Sequence, residues 1–303
     1  MLPLFIPWLL VLLLLVDFLF LFKKKRLIAF LVFVVVILLN LWSECIPLRL
    51  FAKTSNNSDE HLKVMCFNID GIKDGAENRI PDIARLIIQQ KPDVLFVTEY
   101  RETDHFLLDS LLNEDLPYSS YTSKTGNGFY SKYPITPLVV LNNNECDSGV
   151  FSTKVSFGEK CFNIYGCHLS SNNFTTNNDY LHPNSIKTHK DCITYFKDIR
   201  RASKTRIQES SVLIDDVNDK RPTIVMGDFN DVGGSSAIHI IEKAGLKDAW
   251  WQGGCGYGAT VHSPLPYRID HIFYSEEIEL KYVNIIGSNR LSDHDALVAV
   301  FSF

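Results

Sequence analysis

Two unbroken apolar stretches open the chain, and from residue 62 onward short apolar runs alternate with amphipathic ones. Residues 2–22 are interrupted only by prolines and Asp17, and a second stretch, 27–42, follows Lys23-Lys24-Lys25-Arg26. Neither stretch has a polar face, so a buried helix of a globular core accounts for them poorly. At about 1.5 Å of rise per residue the first can cross a hydrocarbon layer of roughly 30 Å, whereas the second needs residues 46–51 to extend it. A cleavable signal peptide also sets basic residues before an apolar core. Here an apolar stretch already precedes the cations, and no small-residue cleavage site follows the second stretch. The pattern predicts a two-helix transmembrane anchor over 1–50 with a basic turn at 23–26. Four cations in that turn favour its retention in the cytoplasm, which puts the remainder of the chain outside.

Residues 51–61 are polar, rich in Ser, Asn and Asp, and read as a linker. Beyond it, apolar runs over 62–67, 94–97, 127–133, 138–141, 150–155, 162–166, 223–226, 269–274, 281–286 and 296–301 predict strands. Ile80, Ile83, Ala84, Ile87 and Ile88 recur at helical spacing and stop before Lys91-Pro92, so 80–90 is a helix. Further helices are expected over 106–112, 189–217 and 237–244, the last ended by Gly245, while 170–185 reads as a polar, Asn-rich loop. Several strands follow one another with no helix between them. Patterning therefore gives an α/β or α+β chain, two packed sheets with helices outside, forming one domain over 62–303.

Charge narrows the function classes. The net charge of −5 becomes −8 once the five basic and two acidic residues of the first 49 are set aside. Such a balance argues against strong nonspecific binding to duplex nucleic acid, where cation-phosphate contacts dominate affinity. The seven cysteines show no zinc-like spacing. Cys66, Cys161 and Cys167 fall in expected strands and read as small buried hydrophobes.

The chemistry gathers at strand ends. Asn68 follows Val64-Met65-Cys66-Phe67, Glu99 follows 94–98, His168 follows 163–167, and Asp228 and Asn230 follow Ile224-Val225-Met226-Gly227. Asp270 lies within a late strand, and Asp293-His294 precede the final one. Singly, each has a plain alternative: Asn68 and Asn230 as turn residues, Glu99 paired with Arg101, Asp228 as a helix cap, His168 as a satisfied structural histidine. Their recurrence at independently identified strand ends outweighs those alternatives. Oxygen donors suit Mg²⁺, Mn²⁺ or Ca²⁺, which need only one or two carboxylates besides water and substrate phosphate.

In order along 62–303, the blocks Cys66-Phe67-Asn68, Pro92-Asp93-Val94-Leu95-Phe96-Val97-Thr98-Glu99, Gly166-Cys167-His168-Leu169, Met226-Gly227-Asp228-Phe229-Asn230-Asp231, Arg268-Ile269-Asp270-His271-Ile272 and Leu291-Ser292-Asp293-His294 resemble the endonuclease/exonuclease/phosphatase (deoxyribonuclease I-like) superfamily. The apolar N-terminus further resembles bacterial members held in the membrane. The resemblance implies a four-layer α-β-β-α sandwich of two mixed sheets and a Mg²⁺-dependent phosphoesterase, with Mn²⁺ able to substitute. It implies metal contacts from Asn68, Glu99 and Asp293. It also implies that Asp228 orients or deprotonates the attacking water, that Asn230 and His168 hold the phosphate, and that His294, pinned by Asp270, stabilises the phosphorane. A phosphate ester of a nucleic acid, a lipid headgroup or a small molecule is the expected substrate. The membrane, and no protein, is the expected partner. Expected localisation is the bacterial inner membrane with the catalytic domain on the extracytoplasmic side. The opposing class is a membrane-anchored binding protein that retains the fold without turnover.

Two features are set aside. Gly253-Gly254-Cys255-Gly256-Tyr257-Gly258 lacks the Lys-Ser/Thr of a phosphate loop and reads as a flexible rim. Arg200, Arg201, Lys204 and Arg206 read as the solvated face of a charged helix.

Overall fold

The computed structural model describes residues 6–23, 25–43, 47, 61–69, 79–100, 102–122, 126–142, 149–172, 189–217, 222–262 and 266–303. The expected linker over 51–61, apart from His61, which opens a strand, and most of the loop expected over 170–185 lie outside these residues.

The chain begins as a helical hairpin, α1 (Ile6–Phe22) and α2 (Arg26–Ser43). Among the described residues no helix is long and apolar enough to cross a membrane. With 17 and 18 residues the two helices are about 26 and 27 Å long, and α2 begins on a cation, so the expected pair of spans is not established. Most of the hairpin's apolar side chains nonetheless face outward, among them Leu12, Leu15, Phe18, Phe22, Leu27 and Phe30. Its open end is covered by the rest of the chain. There Ile6, Leu10 and Val36 pack with Tyr257, and the Trp8 ring meets Tyr267 edge-on at 6.3 Å.

Two six-stranded mixed sheets follow. The first runs β11 (Glu279–Ile286), β12 (Ala296–Ser302), β1 (His61–Asn68), β2 (Val94–Thr98), β4 (Asn127–Ser131), β3 (Tyr118–Thr122). The second runs β5 (Val139–Val140), β6 (Gly149–Phe157), β7 (Lys160–His168), β8 (Thr223–Asp228), β10 (Asp270–Tyr274), β9 (Lys247–Asp248). Side-chain alternation divides each strand between two layers. Val64, Cys66, Phe96 and Leu297 of one sheet meet Phe151, Ile164, Ile224 and Ile272 of the other in the central core. Met65, Phe67, Leu95 and Val97 point the other way, under α3 (Ile80–Gln90) and α4 (Glu102–Leu112). Tyr165, Val225 and Phe273 pack beneath α5 (His189–Val217) and α6 (Ser236–Lys243).

Several features differ from the sequence reading. Strand β3, Tyr-Ser-Ser-Tyr-Thr, lacks the apolar run that marks a strand and pairs with β4 at the sheet edge. The glycine-rich rim is built around Trp250 of α7 (Ala249–Gly253), whose Nε1 donates to Gly256 O at 3.1 Å. A Cβ on Gly254 or Gly258 would fall within 2.4 Å of that ring, so these glycines serve close packing rather than flexibility. Cys66 and Cys167 are buried as expected, but Cys161 sits exposed near the start of β7.

Candidate active site

Strand pairing brings the polar strand ends to one rim. β1 and β2 are parallel with Asn68 opposite Thr98, so Asn68 and Glu99 emerge side by side. β7 and β8 are parallel with His168 opposite Asp228. β10 runs antiparallel to β8, which sets Asp270 opposite Asp228. β12 runs antiparallel to β1, pairing Cys66 with Leu297, and this returns the segment before β12 to Asn68. There the Ser292 hydroxyl donates to Asn68 O at 2.7 Å and accepts the His294 amide at 3.0 Å. Thus residues from both sheets and from six strand ends converge.

Asp228 lies at the centre. Asn68 Nδ2 donates to Glu99 Oε1 at 2.9 Å and to Asp228 Oδ2 at 3.1 Å. His168 Nε2 donates to the same Glu99 oxygen at 3.0 Å. On the other side His294 Nδ1 donates to Asp270 Oδ2 at 2.8 Å, and its Nε2 faces Asp228 Oδ2 at 3.8 Å. Two clusters compact enough to hold a cation result, Glu99-His168-Asp228 and Asp228-Asp270-His294, with ligand atoms within 4.8 Å of one another. Asp293 belongs to neither. Its backbone carbonyl accepts His262 N at 2.6 Å, and its carboxylate acts on His294 through charge.

Local backbone aims these groups. Glu99 and Asn230 have φ of +59° and +49°, a region non-glycine residues rarely enter and one that collects at functional sites. Gly227 has φ +140°, and a Cβ there would meet Cys167 O at 2.0 Å, so only glycine allows β8 to lie this close to β7 beside Asp228. The Asp228 carboxylate accepts Asn230 N at 2.8 Å, while Asn230 Nδ2 donates to Leu169 O at 2.9 Å. One amide proton of Asn230 is therefore committed inward, and the second remains for a ligand.

Electrostatics separates the carboxylates. Burial alone would raise Glu99, but the His168 hydrogen bond and charge, with Asn68, hold it down at about 2. Burial and the Asp270 charge push Asp228 up to about 6, against the pull of His294 and His168. For His294, burial favours the neutral ring, yet Asp270 and Asp228 overcome it and raise the imidazole to about 10. His168 is likewise raised, burial being outweighed by Glu99 and Asp228. The site thus presents an ionised carboxylate, a carboxylate titrating near neutrality and an imidazolium around one point. This donor set fits a hard divalent cation: Glu99 supplies a charged oxygen and Asp228 a second carboxylate, Asn68 orients both through its amide, and neither cluster contains a sulfur.

One site-shaping residue escaped the sequence reading. Arg206 is not on a solvated face; it is 1 % exposed and paired with Asp231 at 3.0 Å. Arg200, Arg201 and Lys204 of the same helix are exposed, whereas Arg206 sits on its inward turn.

Such a rim on two stacked sheets is the architecture of a phosphoester-cleaving enzyme. The chain belongs to the Endonuclease/Exonuclease/phosphatase family, whose model matches residues 65–294. It is accordingly a metal-dependent hydrolase acting on phosphoester bonds. No curated protein is a significant match. Among solved structures it resembles D. rerio TDP2 complexed with single-strand DNA product, at 15 % identity and TM-score 0.59 over 81 % of this chain and 100 % of that one. It also resembles a variant of the 3′ phosphatase NExo from Neisseria bound to a product DNA hairpin, at 16 % identity and TM-score 0.59 over 80 % and 100 %. An endonuclease/exonuclease/phosphatase family protein from Leptotrichia buccalis matches at 17 % identity and TM-score 0.57 over 80 % and 100 %.

Proposed function

We propose that the protein hydrolyses a phosphodiester with Mg²⁺, or Mn²⁺ in its place, by in-line attack of water, and that a nucleic-acid strand is its substrate class. The observation that carries the reading is the double membership of Asp228, which closes both the Glu99-His168 cluster and the Asp270-His294 cluster. Glu99 and Asn68 would hold the cation, with Asp293 at its edge, and the cation would offset charge developing on the phosphate oxygens. Asp228 takes the proton of the attacking water. His294, kept cationic by Asp270, donates from Nε2 to a phosphate oxygen as negative charge grows there. His168 and the remaining amide proton of Asn230 hold the phosphate in line. The nucleic-acid assignment draws on the DNA products bound by the two similar structures above. The chain's own negative balance fits single strands or strand ends better than long duplex.

A lipid-headgroup phosphoester is the second reading, favoured by one observation: the apolar hairpin packs against Tyr257 and Tyr267, on the segment that pairs with His294 through Val261. We propose that this hairpin embeds in a bilayer, since exposed apolar side chains cover both helices and the apolar sequence continues beyond the described helix residues. By the distribution of cations the 23–26 turn lies on the cytoplasmic side and the catalytic part outside. The full chain is then expected to stay with membranes through carbonate extraction. Release into the supernatant would overturn the tether.

The protein in detergent, assayed on single-stranded DNA, plasmid DNA, phospholipid vesicles and bis-p-nitrophenyl phosphate, is expected to turn over only with Mg²⁺ or Mn²⁺ and to stop with EDTA. Absence of metal-dependent turnover by folded protein on all four would favour a binding role. Glu99→Gln removes a carboxylate held at about 2. It is expected to raise the Mg²⁺ concentration for half-maximal activity by about tenfold or more, in line with the cost of weakening a metal ligand. An unchanged titration would remove Glu99 from the ligand set.

A further inference from the structure

The rim is braced from behind by a polar cluster that no catalytic step uses. Arg206 and Glu209, one turn apart on α5, are 1 % and 2 % exposed, an unusual burial for charged side chains. Arg206 Nε donates to Asp231 Oδ2 at 3.0 Å. Its Nη1 donates to Ser170 O at 2.8 Å and to Asn172 Oδ1 at 3.0 Å. Glu209 accepts from the same loop, Ser170 N at 2.9 Å and Ser170 Oγ at 2.8 Å. Ser170 lies two residues beyond His168, and Asp231 immediately follows Asn230. The two loops are further joined by Asn230 Nδ2 to Leu169 O and by Leu169 N to Asp228 O, each 2.9 Å.

A buried ion pair adds little net stability, because desolvation offsets most of its attraction and an apolar pair of similar volume packs as well. What the charges supply here is direction. The planar guanidinium reaches three acceptors on two separate loops at fixed angles, which no apolar side chain and no single ammonium can do. We infer that Arg206 and Glu209 are positioning residues that fix the His168-bearing loop against the Asp228-Asn230 loop, setting the separation across which the phosphate is held. The inference rests on the phosphoesterase reading for its kinetic consequence, and on geometry alone for its structural one.

Arg206→Lys tests it in the full chain by two independent readouts. Amide exchange is expected to rise within 169–172 and 229–232 while the interiors of β7 and β8 keep their wild-type protection. In turnover, kcat is expected to fall ten- to hundredfold with KM within threefold. Combined with Asn230→Ala, the loss is expected to be well below the product of the two single effects, because both act through one constellation. Exchange that rises evenly across the domain, or a kcat within threefold of wild type, or losses that multiply, would overturn the assignment. Should Arg206→Lys fail to fold, Glu209→Gln, which conserves volume, is put through the same measurements, with the same results expected and the same results overturning the assignment. A wild type with no phosphoesterase activity would remove the proposed function, while the exchange pattern would still decide whether the brace holds both loops.

Discussion

His294→Ala is expected to lower turnover by roughly two orders of magnitude or more, as loss of oxyanion stabilisation commonly does. The ring is held by Asp270 at 2.8 Å and aims its other nitrogen at Asp228, so its remaining proton points into the space between the two clusters. Burial disfavours the charged ring, but Asp270 and Asp228 raise it to about 10, so at neutral pH the donor is an imidazolium. That charge opposes the one gathering on the phosphate in the transition state. Loss of His294 also leaves Asp270 buried without its partner, so His294→Gln, which can still donate to Asp270, separates chemistry from folding. Both variants should be slow, and thermal melts should show the Gln form near wild type. Near-normal rates in a folded variant would remove His294 from the mechanism. The raised pKa adds a sign: the cation persists as pH rises past the usual histidine range, and activity falls only as pH approaches about 10.

The second large loss is expected for Asp228→Asn, again roughly a hundredfold or more in kcat. The amide keeps the shape and can still accept Asn230 N, an interaction now 2.8 Å, but it cannot take a proton from water. Burial and Asp270 raise this carboxyl to about 6, which suits a base working near neutrality. Because the ionised form is the active one, turnover should rise with pH through about 6 and level above it. A bound cation favours the carboxylate and moves that limb lower. Measurement of kcat against pH for wild type, alongside the Asn variant, checks both points. A variant with ordinary turnover and an unaltered acid limb would show that another group accepts the proton.

How far these features were legible depends on whether neighbours in sequence or neighbours in space create them. Strand β8 and helix α3 were readable because an apolar run or a 3.6-residue period is a local property, and the bounds of α3 coincide with the expected 80–90. Asn68, Glu99, His168 and Asp228 were readable because each ends such a run. Convergence itself was not local: it follows from β1-β2 and β7-β8 being parallel, a choice made by tertiary packing. Asp293 entered the expected metal contacts through the family resemblance, and the two compact clusters among the described residues form without it. Arg206 illustrates the limit more sharply. Its surroundings in sequence are those of a surface helix, and only the facing loops at Ser170 and Asp231 draw it inside. Likewise β3 has no apolar run and is recognisable only by its pairing with β4.

The pairing of Asp270 with Asp228 across β10 and β8 has a consequence for how this domain can diversify. Side chains alternate faces along a strand, so deleting or inserting one residue in β8 or β10 exchanges inside for outside along the rest of that strand. The carboxylate, which shares the inter-sheet face with Ile224, Met226 and Ile272, would then turn toward the helix layer, and a neighbour such as Gly227, Phe229 or Ile269 would take its place at the rim. Changes of length are thereby confined to the connections beyond the strand ends. Any adaptation to a new substrate must be written in those connections, around a rim whose spacing cannot drift.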